Sequence, residues 1–135
     1  MEKNLERAFA YLSESRPYFI ATEDGDQARV RPFGSLYNLD GKLYISTTKE
    51  KPVYTQLKTA PKIELAAMGK DGWIRVTAEA VEEEGREARL TLWKSSAAVL
   101  GRDPDNMDES MAAFYLQNAK VTITKNGAEP ETFTF

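Results

Sequence analysis

Two arginines, Arg29 and Arg31, stand two residues apart in a run rich in strand formers. On a strand, that spacing puts both guanidinium groups on one face. Further along, Thr47, Thr48, Lys49 and Lys51 lead directly into Pro52. Proline prefers the first position of a helix, so these residues gather at a helix start. Free backbone amides and partial positive charge at such an end suit a phosphate. Hydroxyls and an ammonium beside it would add charge-assisted bonds. Strand arginines plus a threonine-rich turn therefore outline a phosphate pocket. The same residues have a plainer use, because threonine is a common cap and Lys and Arg are usually solvated. Both readings fit the pattern.

Charge singles out the same stretch. The chain has 135 residues and a formal charge of −3, yet residues 27–58 sum to +4 and the remainder to −7. A basic island in an acidic chain points to one anionic ligand rather than a polyanion track. The overall charge argues against nucleic-acid binding. Cysteine and histidine are both absent. That removes disulfides, thiolate or imidazole metal ligands, ordinary haem ligation, a cysteine nucleophile and any Ser-His-Asp triad. There is no glycine-rich dinucleotide turn or P-loop, and the carboxylates show no metal-ligand spacing. The N-terminus is charged and leads into no long apolar run, and no stretch is long enough to span a bilayer. A cytoplasmic protein with no membrane contact is the expectation. An apolar fraction of 41% suits one packed domain over residues 1–135.

The elements that hold the basic segment are mostly strands. Leu5, Ala8, Phe9 and Leu12 recur at helical spacing and predict a first helix that ends before Pro17. Tyr18–Thr22 reads as a strand that stops at Asp24-Gly25-Asp26. Ala28–Tyr37 reads as a long second strand interrupted at Pro32, which implies an edge, a bulge or a ligand contact. Asn38-Leu39-Asp40-Gly41 makes a hairpin into Lys42–Ser46. Thr47-Thr48-Lys49-Glu50 fits a capping box that would start a helix near Thr48, in conflict with Pro52. An interior proline costs ~3 kcal/mol and a cap is worth ~1 kcal/mol, so the helix is placed at Pro52–Thr59. Strands follow at Ile63–Met68 and Trp73–Glu82, the latter with Ile74, Val76, Ala78 and Ala80 on one face. A helix is predicted from Gly85 to about Trp93, a loop over 95–110, and strands at Phe114–Thr124 and Thr132–Phe135. The fold class is mainly β: a six-stranded antiparallel barrel, Greek-key-like, with short peripheral helices.

Four segments, Ala28–Gly34, Gly41–Thr47, Lys51–Lys58 and Gly72–Thr77, resemble in order and spacing the pyridoxamine 5′-phosphate oxidase-like family of FMN-binding split barrels. The similarity extends to Phe114-Tyr115-Leu116 and the closing strands. The resemblance implies an FMN cofactor, a homodimer with flavin sites at the subunit interface, and an oxidoreductase acting on a small-molecule substrate or redox partner. It implies that Arg29, Val30, Arg31, Pro32, Phe33 and Gly34 run along the ring and ribityl chain. Ser46, Thr47 and Thr48 would meet the ring or phosphate, with Lys49 beside them, and Lys51 would bind the phosphate. Trp73 and Arg75 would reach the flavin from the partner or brace the dimer. Trp73 also suits plain interface or core packing, and Phe114 and Tyr115 suit either a cover for the ring or core. Two departures stand out. Glu50 occupies a position where oxidase members often carry arginine, so that role passes to Arg29 or Lys49. The C-terminal Trp and Arg-x-His region that binds the oxidase substrate is missing. Alternatives are a flavin-binding electron carrier or sensor, and a relative that holds haem or a deazaflavin.

Overall fold

A computed structural model describes residues 2–135. Helix α1 spans Glu2–Glu14 and buries Leu5, Ala8 and Leu12, the apolar stripe of its 3.6-residue period. Strand β1 (Tyr18–Asp24) pairs antiparallel with β2 (Gln27–Phe33). The chain leaves β2 and forms a separate short strand β3 (Tyr37–Leu39), which pairs with β4 (Lys42–Thr48). Asp40 and Gly41 both have positive φ, 51° and 73°, as a two-residue hairpin with matching twist requires.

Helix α2 spans Pro52–Thr59, with proline in its first turn. It stops just before Pro61, which disfavours a helical residue ahead of it. Strands β5 (Lys62–Met68) and β6 (Gly72–Glu83) form the next hairpin, and Ile74, Val76, Ala78 and Ala80 are all buried. Helix α3 spans Arg86–Leu100, and β7 (Met111–Lys125) and β8 (Glu131–Thr134) close the chain.

The sheet order is β2-β1-β5-β6-β7-β4-β3, with β8 paired to β7 off that path. Every pairing is antiparallel. The long β7 runs beside β6, while its first residues pair with β4 and its later ones with β8. The register slips between Thr77 and Glu79, and Asn118 opposite has φ 52°. The sheet is open, as a split barrel requires.

Two expectations need correction. Among the described residues eight strands are present, not six: the stretch after Ala28 divides at residues 34–36 into β2 and β3, while the closing strand predicted at Thr132–Phe135 is present as β8. Helix α3 continues seven residues past Trp93 into the predicted loop. Its serines do not break it, because Ser95 and Ser96 donate back to the Leu92 carbonyl at 2.8 and 3.2 Å. It ends at Gly101, which has φ 67° and serves as a left-handed cap.

Strand β4 is buried on both faces. Leu43 and Ile45 face the main core with Ile20, Leu57, Leu65, Val76 and Phe114. Tyr44 faces a second cluster formed by Leu92, Trp93, Met107, Met111 and Ala113 under α3. The strand that carries Ser46, Thr47 and Thr48 is therefore clamped from two sides.

Candidate functional site

The loop after β2, the end of β4, the start of α2 and one side of α3 enclose an open groove of about 850 Å³. That size suits a small-molecule site. The sheet topology builds it. β2 is an edge strand, so Pro32 removes no ladder bond that the fold needs, and the chain turns away beyond Phe33. The Ser35 hydroxyl pins the loop to β4: it accepts from the Ser46 amide and donates to the Ser46 carbonyl, each at 3.0 Å.

Thr47 lies at the groove with only 8% of its surface exposed. Its hydroxyl is buried without a hydrogen-bond partner among the described residues. An unmade bond at such an atom costs about 1–3 kcal/mol. Next to it, Lys51 is the N-cap of α2 in extended conformation, and no side chain caps that end among the described residues. The Lys51 amide donates to the Thr48 carbonyl at 3.1 Å, which folds the turn tightly under the helix. The positive end of α2 and the Lys51 ammonium thus stand at one edge of the groove.

Arg31 enters from β2. Its Nη1 donates to the Ile20 carbonyl at 3.1 Å and its Nη2 to Oε1 of Gln56 at 2.7 Å. Burial, and then the charge of Arg29, lower its pKa, while the guanidinium stays a cation. Arg16, Arg31, Lys51 and Arg102 line the groove with a single carboxylate, Asp108. Asp108 is occupied by Ser110, which donates to it from both amide and hydroxyl at 2.9 Å. None of the four cations has a carboxylate partner within ion-pair distance among the described residues. The groove is electropositive in an acidic protein.

Of the residues singled out from sequence, Arg31, Pro32, Phe33, Gly34, Ser46, Thr47, Thr48 and Lys51 line the groove together. Five do not line it. Arg29 is exposed and pairs with Asp24 at 3.1 Å. Val30 is 68% exposed on the outer face of the sheet. Lys49 is exposed in the turn after β4. Trp73 and Arg75 lie on β6, with Arg75 stacked on the Trp73 ring at 4.9 Å and paired to Glu64 at 3.1 Å. Glu50 is exposed and absent from the lining. Thr47 and Thr48 belong to β4, so only residues 49–51 form the turn that was read as a longer loop. Phe114 is core at 1% exposure, and neither it nor Tyr115 reaches the groove.

Sequence reasoning missed three contributors. Arg16 lines the groove from just before β1. Gln56 is buried between Val53 and Leu57 on the inner face of α2; a polar residue on an apolar helical stripe was the available signal. The C-terminal half of α3 supplies Ser95, Ser96, Val99 and Leu100 as the opposite wall. The last two are 87% and 53% exposed.

No family model and no curated protein matches the sequence. Solved structures do. A protein from Clostridium acetobutylicum related to general stress protein 26, of the pyridoxinephosphate oxidase family, matches with a TM-score of 0.70 at 17% identity, over 100% of this chain and 96% of that one. A pyridoxamine 5′-phosphate oxidase-related, FMN-binding protein from Nostoc punctiforme matches with a TM-score of 0.68 at 14% identity, over 98% and 95%. These two likenesses show the fold, an open split barrel. A NimC/NimA family protein from C. acetobutylicum is similar at 32% identity with a TM-score of 0.91, over 99% of this chain and 94% of that one. Within the split barrels, the chain belongs to the NimC/NimA family. No described helix is long and apolar enough to cross a membrane.

Proposed function

We propose that this protein binds FMN in the groove, works as a homodimer, and exchanges hydride or electrons between the flavin and a small molecule. The observation that carries the reading is the partnerless Thr47 hydroxyl beside the uncapped start of α2. That donor set matches a phosphate: a hydroxyl, helix-terminal amides and an ammonium on one edge. When bound, FMN supplies redox chemistry at its N5.

The protein's own residues bind and orient. Lys51, Thr48 and Thr47 hold the phosphate end. Arg31, fixed by two hydrogen bonds, presents positive charge to the groove. Such charge favours the more negative, reduced form of a ring placed beside it. The β2–β3 loop, pinned by Ser35, walls off water on one side.

The dimer reading rests on the outer face of the sheet. Pairing places Pro32 beside Phe19, Phe19 beside Ala66, Ala66 beside Arg75 and Met68 beside Trp73. Phe19 is 46%, Val30 68% and Met68 75% exposed on this apolar surface. A second copy seated there would cover it and bring Trp73 and Arg75 toward a groove they do not reach within their own chain.

A second reading, a flavin electron carrier or sensor, is favoured by one observation. The one carboxylate lining the groove is tied to Ser110, and the chain has neither histidine nor cysteine. That leaves no free carboxylate, imidazole or thiol among the described lining residues to serve as a proton donor. Anaerobic mixing of the FMN-loaded protein with reduced nicotinamide dinucleotide, then with a quinone, separates the two. Catalytic turnover supports the oxidoreductase, and slow, non-saturating electron exchange supports the carrier.

A further inference from the structure

We infer that Gln56 is a positioning residue that sets the charge Arg31 presents to the groove; the inference rests on the FMN reading and deepens it. Gln56 is 8% exposed on α2, and its Oε1 accepts two hydrogen bonds. One comes from Nη2 of Arg31 at 2.7 Å and the other from the Thr22 hydroxyl at 2.6 Å. Thr22 is itself 4% exposed. Two donors fix which end of the amide faces Arg31, because the NH₂ end could accept neither. The Ile20 carbonyl holds the other terminal nitrogen of Arg31 at 3.1 Å. The guanidinium is therefore held between β1 and α2 by hydrogen bonds from both terminal nitrogens.

The choice of a neutral acceptor matters. A carboxylate at this place would hold the same geometry and cancel the charge. Gln56 holds the geometry and leaves the charge whole. Arg29 lies two residues away on the same strand and pairs with Asp24, so no acid is diverted to Arg31. The result is a half-buried guanidinium, uncompensated among the described residues, aimed along a groove wall. Its lowered pKa agrees with a cation in partly dehydrated surroundings. A ligand ring that gains negative charge on reduction would gain most from such a group.

The test uses Gln56→Leu and Gln56→Glu with two readouts. The first is side-chain NMR of Arg31 in the protein without FMN. Separate, slowly exchanging Nη signals are expected in the wild type, averaged signals in Gln56→Leu, and retained separate signals in Gln56→Glu. The second is titration with FMN and the midpoint potential of the bound flavin. Gln56→Leu should weaken FMN binding about tenfold or more, the loss expected for one charge-assisted hydrogen bond. Gln56→Glu should keep Arg31 ordered yet shift the potential to more negative values. Arg31 order lost in Gln56→Leu and kept in Gln56→Glu is a pattern that a merely structural glutamine would not produce. If Gln56→Leu fails to fold, Gln56→Glu still carries the potential readout. Wild-type Arg31 signals that are already averaged overturn the inference and leave FMN binding standing. So does an unchanged potential in Gln56→Glu. A wild-type protein that takes no FMN overturns the FMN reading and, with it, the inference.

Discussion

The phenol of Tyr44 donates to Oε1 of Glu83 at 2.7 Å, and the other oxygen of Glu83 accepts the Gly85 amide at 3.2 Å. This pair joins β4, which carries Ser46–Thr48, to the first residues ahead of α3, which forms the opposite wall of the groove. Both partners titrate away from their usual ranges. Burial first, and then Glu83, push the Tyr44 phenol up. The Tyr44 hydrogen bond first, and the Gly85 amide among the lesser causes, hold the Glu83 carboxyl below its ordinary 4.5.

The sign for Glu83 follows from its depressed folded value. Its contribution is fully present above about pH 4.5 and is lost as pH falls through the lower folded value. Tyr44→Phe should cost about 1 kcal/mol near neutral pH and flatten the acid limb of the stability curve. Urea midpoints measured from pH 3 to pH 7, which bracket that window, would check this. Parallel curves for variant and wild type would show that the pair contributes nothing through Glu83.

Thr47→Val makes a sharper prediction because its two effects have opposite signs. The variant keeps the side-chain shape and removes a buried hydroxyl that has no partner. Stability without FMN should hold or rise by up to about 1 kcal/mol. FMN affinity should fall. Thermal melts with and without FMN would separate the effects, and a loss of stability without the cofactor would mean the hydroxyl is already satisfied, by water.

Lys51→Ala should weaken FMN binding by about 1.5–3 kcal/mol with the fold intact, since the side chain is exposed and only its backbone holds the turn. Far-UV circular dichroism and a binding isotherm test both halves of that statement.

Met68→Asp should separate the subunits without unfolding them. Met68 is 75% exposed on the outer sheet face, so a carboxylate costs little within one chain and much at an interface core. Sedimentation velocity on the wild type should give a dimer and on the variant a monomer. A monomeric wild type would remove the dimer reading.

Much of this fold could be read from particular residues. Pro52 and the Ala60-Pro61 step set both ends of α2, and the strict alternation from Ile74 to Ala80 set β6 and its buried face. Helix α3 runs past its predicted end near Trp93 because Ser95 and Ser96 bond back to the preceding turn, which spacing alone does not show. Gly101 carried the true stop signal. At the site, residues contiguous with the basic segment were legible: Arg31 to Gly34, Ser46 to Thr48 and Lys51. Arg16, Gln56 and the end of α3 were not, since only the tertiary fold brings Arg16 and α3 to the groove and Gln56 to Arg31. Arg29 and Lys49 had the right charge, yet Arg29 pairs with Asp24 farther along the strand and Lys49 lies exposed in the turn.

A groove built for the phosphate of FMN should distinguish the cofactor from riboflavin, and titration of the cofactor-free protein with each flavin measures that difference. Followed by flavin absorption near ~450 nm, a property of the cofactor, FMN should bind at one per chain. Riboflavin, which lacks the phosphate, should bind at least about tenfold more weakly. Equal affinity for the two, or no change in the spectrum of either, would contradict the account.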